Sequence, residues 1–311
     1  MAGTDPIYTT TEPFSDALVA AVTGIIGQTL ADRTAGGILA NPVIAGGFAG
    51  RDKFMRALAL KAVYVAWGVD KFLAVAEGSP FAVVDLASDT TTTTPTRRGF
   101  ARTASDMVRS MDSWGITQWA NFAAESAIAW SQTVVSAHAA LFNSFTGSGG
   151  ATGAAATWAT VLNDYQILGI ANVAPPYVFI TRPKDWANIA SDALTLGGYI
   201  QNDPETAAYK RAVNPGYKGS FLGGDLDIYC SGEIAASAGD HVSGMFGQTA
   251  INWNAHMPAP SPATHPLIWT PAFGVELDRT ALKSEDSIVS STHLGASVGQ
   301  GSAGVAMPFL T

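Results

Sequence analysis

The sequence predicts an α+β chain, and three observations carry the prediction. Residues Ile116 to Phe142 (ITQWANFAAESAIAWSQTVVSAHAALF) run for twenty-seven positions without Gly or Pro, which predicts one long helix. The second half of the chain breaks into short runs rich in β-branched and aromatic residues, set between Gly and Pro, the signature of strands and turns. No alternation of strand and helix at the βαβ period is present, and no internal repeat.

In chain order, residues 1 to about 50 read as an arm. A polar start precedes an apolar, amphipathic piece from Ser15 to Arg33 and a Gly-rich run (AGGILANPVIAGGFAG), which predicts an arm with one short helix that docks on a partner. Arg51 to Gly68 has helical spacing. From Phe72 to Met111 the chain turns Thr- and Val-rich, predicting two extended strands that meet around Pro95 to Gly99 as a hairpin. Arg97, Arg98, Arg102 and Arg109 have only Asp106 as an acid in the returning strand, whereas residues from 201 onward carry ten Asp or Glu against five Lys or Arg. Opposite signs predict docking between copies, with these four arginines as the inter-subunit contact candidates.

On the long helix, Gln118, Asn121, Glu125, Gln132 and Ser136 form a polar stripe, and Trp119, Phe122, Ile128, Val134, Val135 and Phe142 the apolar remainder. Glu125 and His138 are costly in hydrocarbon and no basic cluster flanks the run, so it reads as a buried or interface helix and not as a membrane span. GSGG at 147–150 stops it. TWATVLNDYQIL then predicts a helix, YVFIT a buried strand, and RPKDWANIASDAL a helix with Pro183 in its first turn. Beyond these, GSFLGGDLDIYCSGEI, GDHVSGMFGQTAINW, GVELDR, SIVSST and GVAMPF predict strands and turns.

Composition narrows the function classes. Hydrophobic residues make up 47% and charged residues 14% of 311, against about 25% charged in an ordinary soluble domain. Charge this sparse predicts an obligate oligomer that hides surface against its own copies. A net charge of −8 opposes tight phosphate binding, so no specific nucleic-acid ligand is expected. Cys230 is the sole cysteine, expected as a buried thiol in a reducing compartment. The N-terminus lacks a basic start and an apolar core, from which we expect no secretory signal and a product that stays in the cytoplasm.

Patterns of catalysis fail on context. Gly295, Ser297 and Gly299 match G-x-S-x-G, but no acid or histidine follows for a hydrolase triad. Gly299, Gly301 and Gly304 match G-x-G-x-x-G with seven residues left, too few for a pyrophosphate-binding helix. The histidines at 138, 241, 256, 265 and 293 show no ligand spacing and read as surface or interface residues. Asp225 and Asp227 read as turn or solvent-face acids, although paired carboxylates for acid/base work are the alternative. We therefore expect no enzyme, with catalytic, cofactor and metal residues all none.

The order of elements resembles the major capsid protein family of tailed bacteriophages, whose fold also builds encapsulin shells. YVFITRPKDWANIASD (Tyr177 to Asp192) resembles that family's strand followed by an N-P-x-x-W-type helix start, with Arg182 and Pro183 before Trp186. FLGGDLDIYCSGEIAAS (Phe221 to Ser237) is similar to its Gly-led strand ending in a polar turn, with Asp225 where the family often has Pro, and GDHVSGMFGQTAINW to the strand pair that follows. The resemblance implies a phage major-capsid fold: N-terminal arm (1–57), extended E-loop hairpin region (58–113), P-domain with the long spine helix (114–146), mainly A-domain (147–265), and return strands of the P-domain (266–311). It implies a major capsid protein that assembles as hexamers and pentamers into an icosahedral shell around double-stranded DNA, located in the virion and assembled in the host cytoplasm. The implied partners are the chain itself, a separate scaffolding protein, a portal and a cement protein, with no membrane. Arginines and no lysine between Thr90 and Met111 imply a shell without lysine-to-asparagine crosslinks. The alternatives are an encapsulin-type compartment holding cargo and a cytoplasmic hydrolase using Ser297 or the Asp225/Asp227 pair.

Overall fold

The run free of Gly and Pro forms one helix, α1 (Gly115–Ala139), of 25 residues, about 37 Å at 1.5 Å per residue. The computed structural model describes residues 43–44, 53–56, 59–65, 88–93, 95–105, 115–150, 152–195, 217–234, 236–237, 240–256, 265–269, 274–280 and 285–310. Of the side chains described on α1, Phe122, Val134 and Val135 are buried and Glu125 and Gln132 exposed, as predicted, while Ile128 and Ser136 are half-buried. Small hydroxyls on its inner side satisfy themselves, Ser126 donating to the Phe122 carbonyl at 2.8 Å and Thr133 to that of Ala129 at 2.7 Å. Three residues later than α1, Phe142–Ser144 make one 3₁₀ turn, and Phe145 is extended.

The described strands form three sheets. Strands β1 (Lys53–Arg56), β2 (Ala59–Val65) and β3 (Ser88–Thr93) form an antiparallel sheet in that order. A second sheet is built on β14 (Glu285–Val298): β4 (Thr96–Ser105) runs along one edge, and β13 (Gly274–Thr280) and β11 (Ile251–His256) share the other, with β12 (His265–Trp269) beyond β13. The third has the order β5 (Gly147–Ser148), β15 (Gly304–Leu310), β10 (Asp240–Phe246), β6 (Tyr177–Thr181), β8 (Leu226–Cys230), β7 (Tyr217–Phe221), with β9 (Ala236–Ser237) on β10. Helices α2 (Trp158–Ile170) and α3 (Pro183–Thr195) pack with it.

β6 shows why YVFIT is apolar without alternation. All five residues are buried, because both faces of the strand are covered. Val178 and Ile180 join one cluster with Val134, Val135, Phe142 and Trp253, whereas Tyr177 and Phe179 join another with Val161, Leu168 and Ile189 of α2 and α3. Phe142 is fully buried, worth roughly 1.5–3 kcal/mol, and it needs Gly244: a Cβ there would lie 2.6 Å from the ring. α2 starts at a Thr157 cap, whose hydroxyl accepts from the Thr160 amide at 3.2 Å, while Asp192 of α3 accepts from the Trp158 amide at 2.8 Å.

Four expectations are corrected or shifted. Arg51 to Gly68, read as helical, contains strands β1 and β2, since Val63, Tyr64 and Val65 favour extended chain and find a partner strand. The hairpin across Pro95 to Gly99 is not formed: β3 pairs with β2, from Leu60 opposite Thr93 to Val65 opposite Ser88, and β4 pairs with β14. The chain joining the paired strands β2 and β3 is therefore 66–87, which lies outside the described residues and carries Lys71, so the stated ground for a shell without lysine crosslinks lapses. GSGG, read only as the stop of the long helix, contributes Gly147 and Ser148 as β5, parallel to Val305 and Ala306. This also places β15, from the stretch expected to return to the spine-helix domain, in the β6–β10 sheet. The predicted helix within 15–33 and Arg109 lie outside the described residues.

Candidate functional site

The arginine-bearing strand is laced into the molecule. β4 pairs antiparallel with β14 over ten positions, Arg97 opposite His293, Arg98 opposite Thr292 and Arg102 opposite Ile288. Gly99 permits this approach, since a Cβ on it would lie 2.4 Å from the Ser290 carbonyl oxygen. Period-two alternation puts Arg98, Phe100 and Arg102 on one face and Arg97 on the other. The first face looks at α1: Phe100 and Phe122 have ring centroids 5.2 Å apart, and Arg102 Nη2 donates to Glu125 Oε1 at 2.5 Å. Both ends of this ion pair are well exposed, 63% and 46%. Of the four candidates, then, Arg102 meets an acid within its own chain, Arg97 and Arg98 are exposed, and Arg109 is outside the described residues.

Between this face and α1 lies a cleft of about 200 Å³. Arg98, Phe100, Ala129, Trp130, Ser126 and Thr133 contribute to its walls, and β14 supplies Ser290 to Thr292. Arg98 is the one charged residue among those lining it.

The catalytic patterns are taken apart by the fold. Ser297 lies inside β14 opposite Asn252, not on a strand-to-helix turn. Gly299 to Gly304 leads only into a 3₁₀ turn and β15. Asp225 accepts from the Tyr165 hydroxyl at 3.1 Å and Asp227 from that of Tyr217 at 3.3 Å, so separate tyrosines hold the two acids. Burial, then the nearby Asp225, raises the Tyr165 hydroxyl's pKa; burial and then Asp227 raise that of Tyr217. Cys230 is buried, and burial pushes its thiol up to about 12, away from the reactive thiolate. Among the described residues no group of three or more His, Cys, Asp or Glu is placed to hold a metal ion, and no helix is long and apolar enough to cross a membrane.

Sequence reasoning missed the buried polar residues. His138 and His241, read as surface or interface residues, are both in the core. His241 Nε2 donates to Asp185 Oδ2, which also accepts from Thr181 at 3.1 Å, and Ser243 meets Thr181 at 3.0 Å. This network ties β10, β6 and the first turn of α3, where a carboxylate also suits the helix dipole. Both partners of the pair are at most 1% exposed, which leaves no approach for a substrate. Asp164 of α2 is buried against Gly149, and burial pushes its carboxyl up to about 7. No spacing in the sequence marks these contacts, because each partner arrives from a different element. The same holds for His256 and His293, set opposite each other by the β11–β14 register.

A rod-like helix against a strand ladder, beside a second sheet packed with two helices, is an architecture that can be compared with known folds. No protein-family model matches the sequence, and no curated protein is similar to it in sequence. Solved structures do match: the capsid of Ralstonia phage GP4, with a TM-score of 0.55 at 12% identity over 85% of both chains, and the head of Helicobacter pylori bacteriophage KHP40, at 0.53 and 10% over 84% of this chain and 85% of that one. The SrpI encapsulin of Synechococcus elongatus PCC 7942 matches at 0.53 and 8% over 71% of this chain and 77% of the other. The chain has the phage major-capsid fold, which the encapsulin shares.

Proposed function

We propose that this chain is a major capsid protein that self-assembles as hexamers and pentamers into an icosahedral shell enclosing double-stranded DNA. The observation that carries the reading is the arrangement of α1, the β4–β14 ladder and the two-sided β6–β10 sheet in one chain, a fold matched by the Ralstonia phage GP4 capsid over 85% of both chains. Sparse charge supports it, since a chain with 14% charged residues gains by covering its surface with copies. No residue need be catalytic. Arg97, Arg98 and Arg109 serve contacts between copies, and a separate scaffolding protein, a portal and a cement protein complete a virion assembled in the host cytoplasm. The acidic balance suits a wall that encloses DNA without gripping it.

The test is negative-stain electron microscopy of the purified protein, expressed with and without a neighbouring candidate scaffolding gene. Uniform closed shells or six-membered rings are expected, with nuclease-protected DNA in particles from infected cells. Small discrete particles under both conditions overturn the reading. Closed shells that hold protein and no DNA replace it with the encapsulin one.

A further inference from the structure

We infer that the cleft between α1 and β4 receives an acidic, extended stretch of backbone from a second copy of this chain, its carboxylate on Arg98. The inference deepens the shell reading and rests on it. Four observations converge. The cleft holds about 200 Å³, room for an acidic side chain with some backbone and a few waters at roughly 30 Å³ each. Arg98 is the one charged residue among its lining, a cation without a carboxylate partner among the described residues. Two residues along the same strand face, Arg102 already holds a carboxylate, that of Glu125, which is the sole acid in α1. The face is thus built to take acids, and α1 has no second one to offer.

The hydroxyls decide what kind of anion fits. Ser126 and Thr133, both in the lining of the cleft, spend their protons on the Phe122 and Ala129 carbonyls, so neither offers a donor to an anion there. A bare phosphate therefore finds no donor in those two hydroxyls. A peptide segment brings its own donors, its carboxylate meeting the guanidinium and an amide N–H the oxygen of half-buried Thr133. Charge complementarity points to the chain itself: its net charge is −8, and residues from 201 onward carry ten acids against five bases.

The experiment uses full-length Arg98→Lys protein, assembled from equal amounts of ¹⁴N- and ¹⁵N-labelled copies and treated with a carbodiimide, which joins amines to carboxylates at contact distance. A guanidinium does not couple, so the unsubstituted protein is the control. The expected result is a new mixed-isotope crosslink between position 98 and an Asp or Glu, found by mass spectrometry. Arg98→Ala should in parallel weaken subunit association about fivefold, an effect abolished in high salt. Shells that form normally but show no mixed-isotope link at position 98 overturn the inference and leave the shell reading intact. Shells of Arg98→Ala that keep their salt tolerance but release DNA replace the peptide by phosphate and overturn it as well. An unsubstituted protein that forms neither shells nor rings overturns both.

Discussion

His138 of α1 stands edge-on to Trp253 of β11, ring centroids 5.5 Å apart, and Trp253 Nε1 donates to the Ile44 carbonyl at 3.0 Å. One indole thereby joins the end of the long helix, a strand of the β14 sheet and a residue from near the N-terminus. His138 Nδ1–H donates to the Val134 carbonyl at 2.8 Å, which sets the neutral tautomer. Burial lowers its pKa from 6.5 to about 4, against the smaller raising effect of that carbonyl.

The folded protein therefore takes up this proton less readily than the unfolded chain. Stability is full above pH 6.5 and falls as the pH drops towards 4, by a total on the order of 3 kcal/mol. His138→Phe keeps a ring against Trp253 and removes the titration. Thermal unfolding of the variant should show a shallower loss between pH 6.5 and 4 than the parent, and an unchanged acid limb would refute this role.

Asp164 titrates in the opposite sense. Its folded pKa of about 7 lies above the ordinary 3.8, so its contribution is fully present below about pH 3.8 and is lost as the pH rises through 7. Asp164→Asn should raise the melting temperature at pH 8 and leave it nearly unchanged at pH 4. Gly149→Ala has no such pH profile: its Cβ would lie 1.8 Å from the Asp164 Oδ1, and it should destabilise at every pH.

The His241–Asp185 pair is buried at both ends. Removing one partner strands the other, so His241→Leu and Asp185→Leu should each cost about 3–5 kcal/mol, while the double variant should cost clearly less than their sum. Denaturant unfolding of the four proteins closes the cycle. Additive losses would mean that the two side chains do not act as a pair.

Arg102 and Glu125 make the contrasting case. Water reaches both side chains, so Glu125→Gln should cost under about 1 kcal/mol, and the difference should vanish in 1 M salt. A larger, salt-independent loss in denaturant melts would indicate that the contact holds β4 on α1 by itself, a task we assign to the β14 ladder and the Phe100–Phe122 pair.

What the sequence determined by itself is local in origin. The absence of Gly and Pro marks α1, the fully apolar YVFIT marks a strand covered on both faces, and Pro183 marks the start of α3; each signal lies within the residues that form the element. The order of these elements was enough to expect the fold. Pairing was not legible. The Thr run of β3 suits any neighbouring strand, and only the assembled sheets decide that β2 takes it while β4 goes to β14, 198 residues from Thr96 to Leu294. The arginine face, the cleft beside it and the buried His241–Asp185 pair exist through such long-range choices. Strand partners, unlike helix periods, are selected by surfaces that come together only in the folded chain.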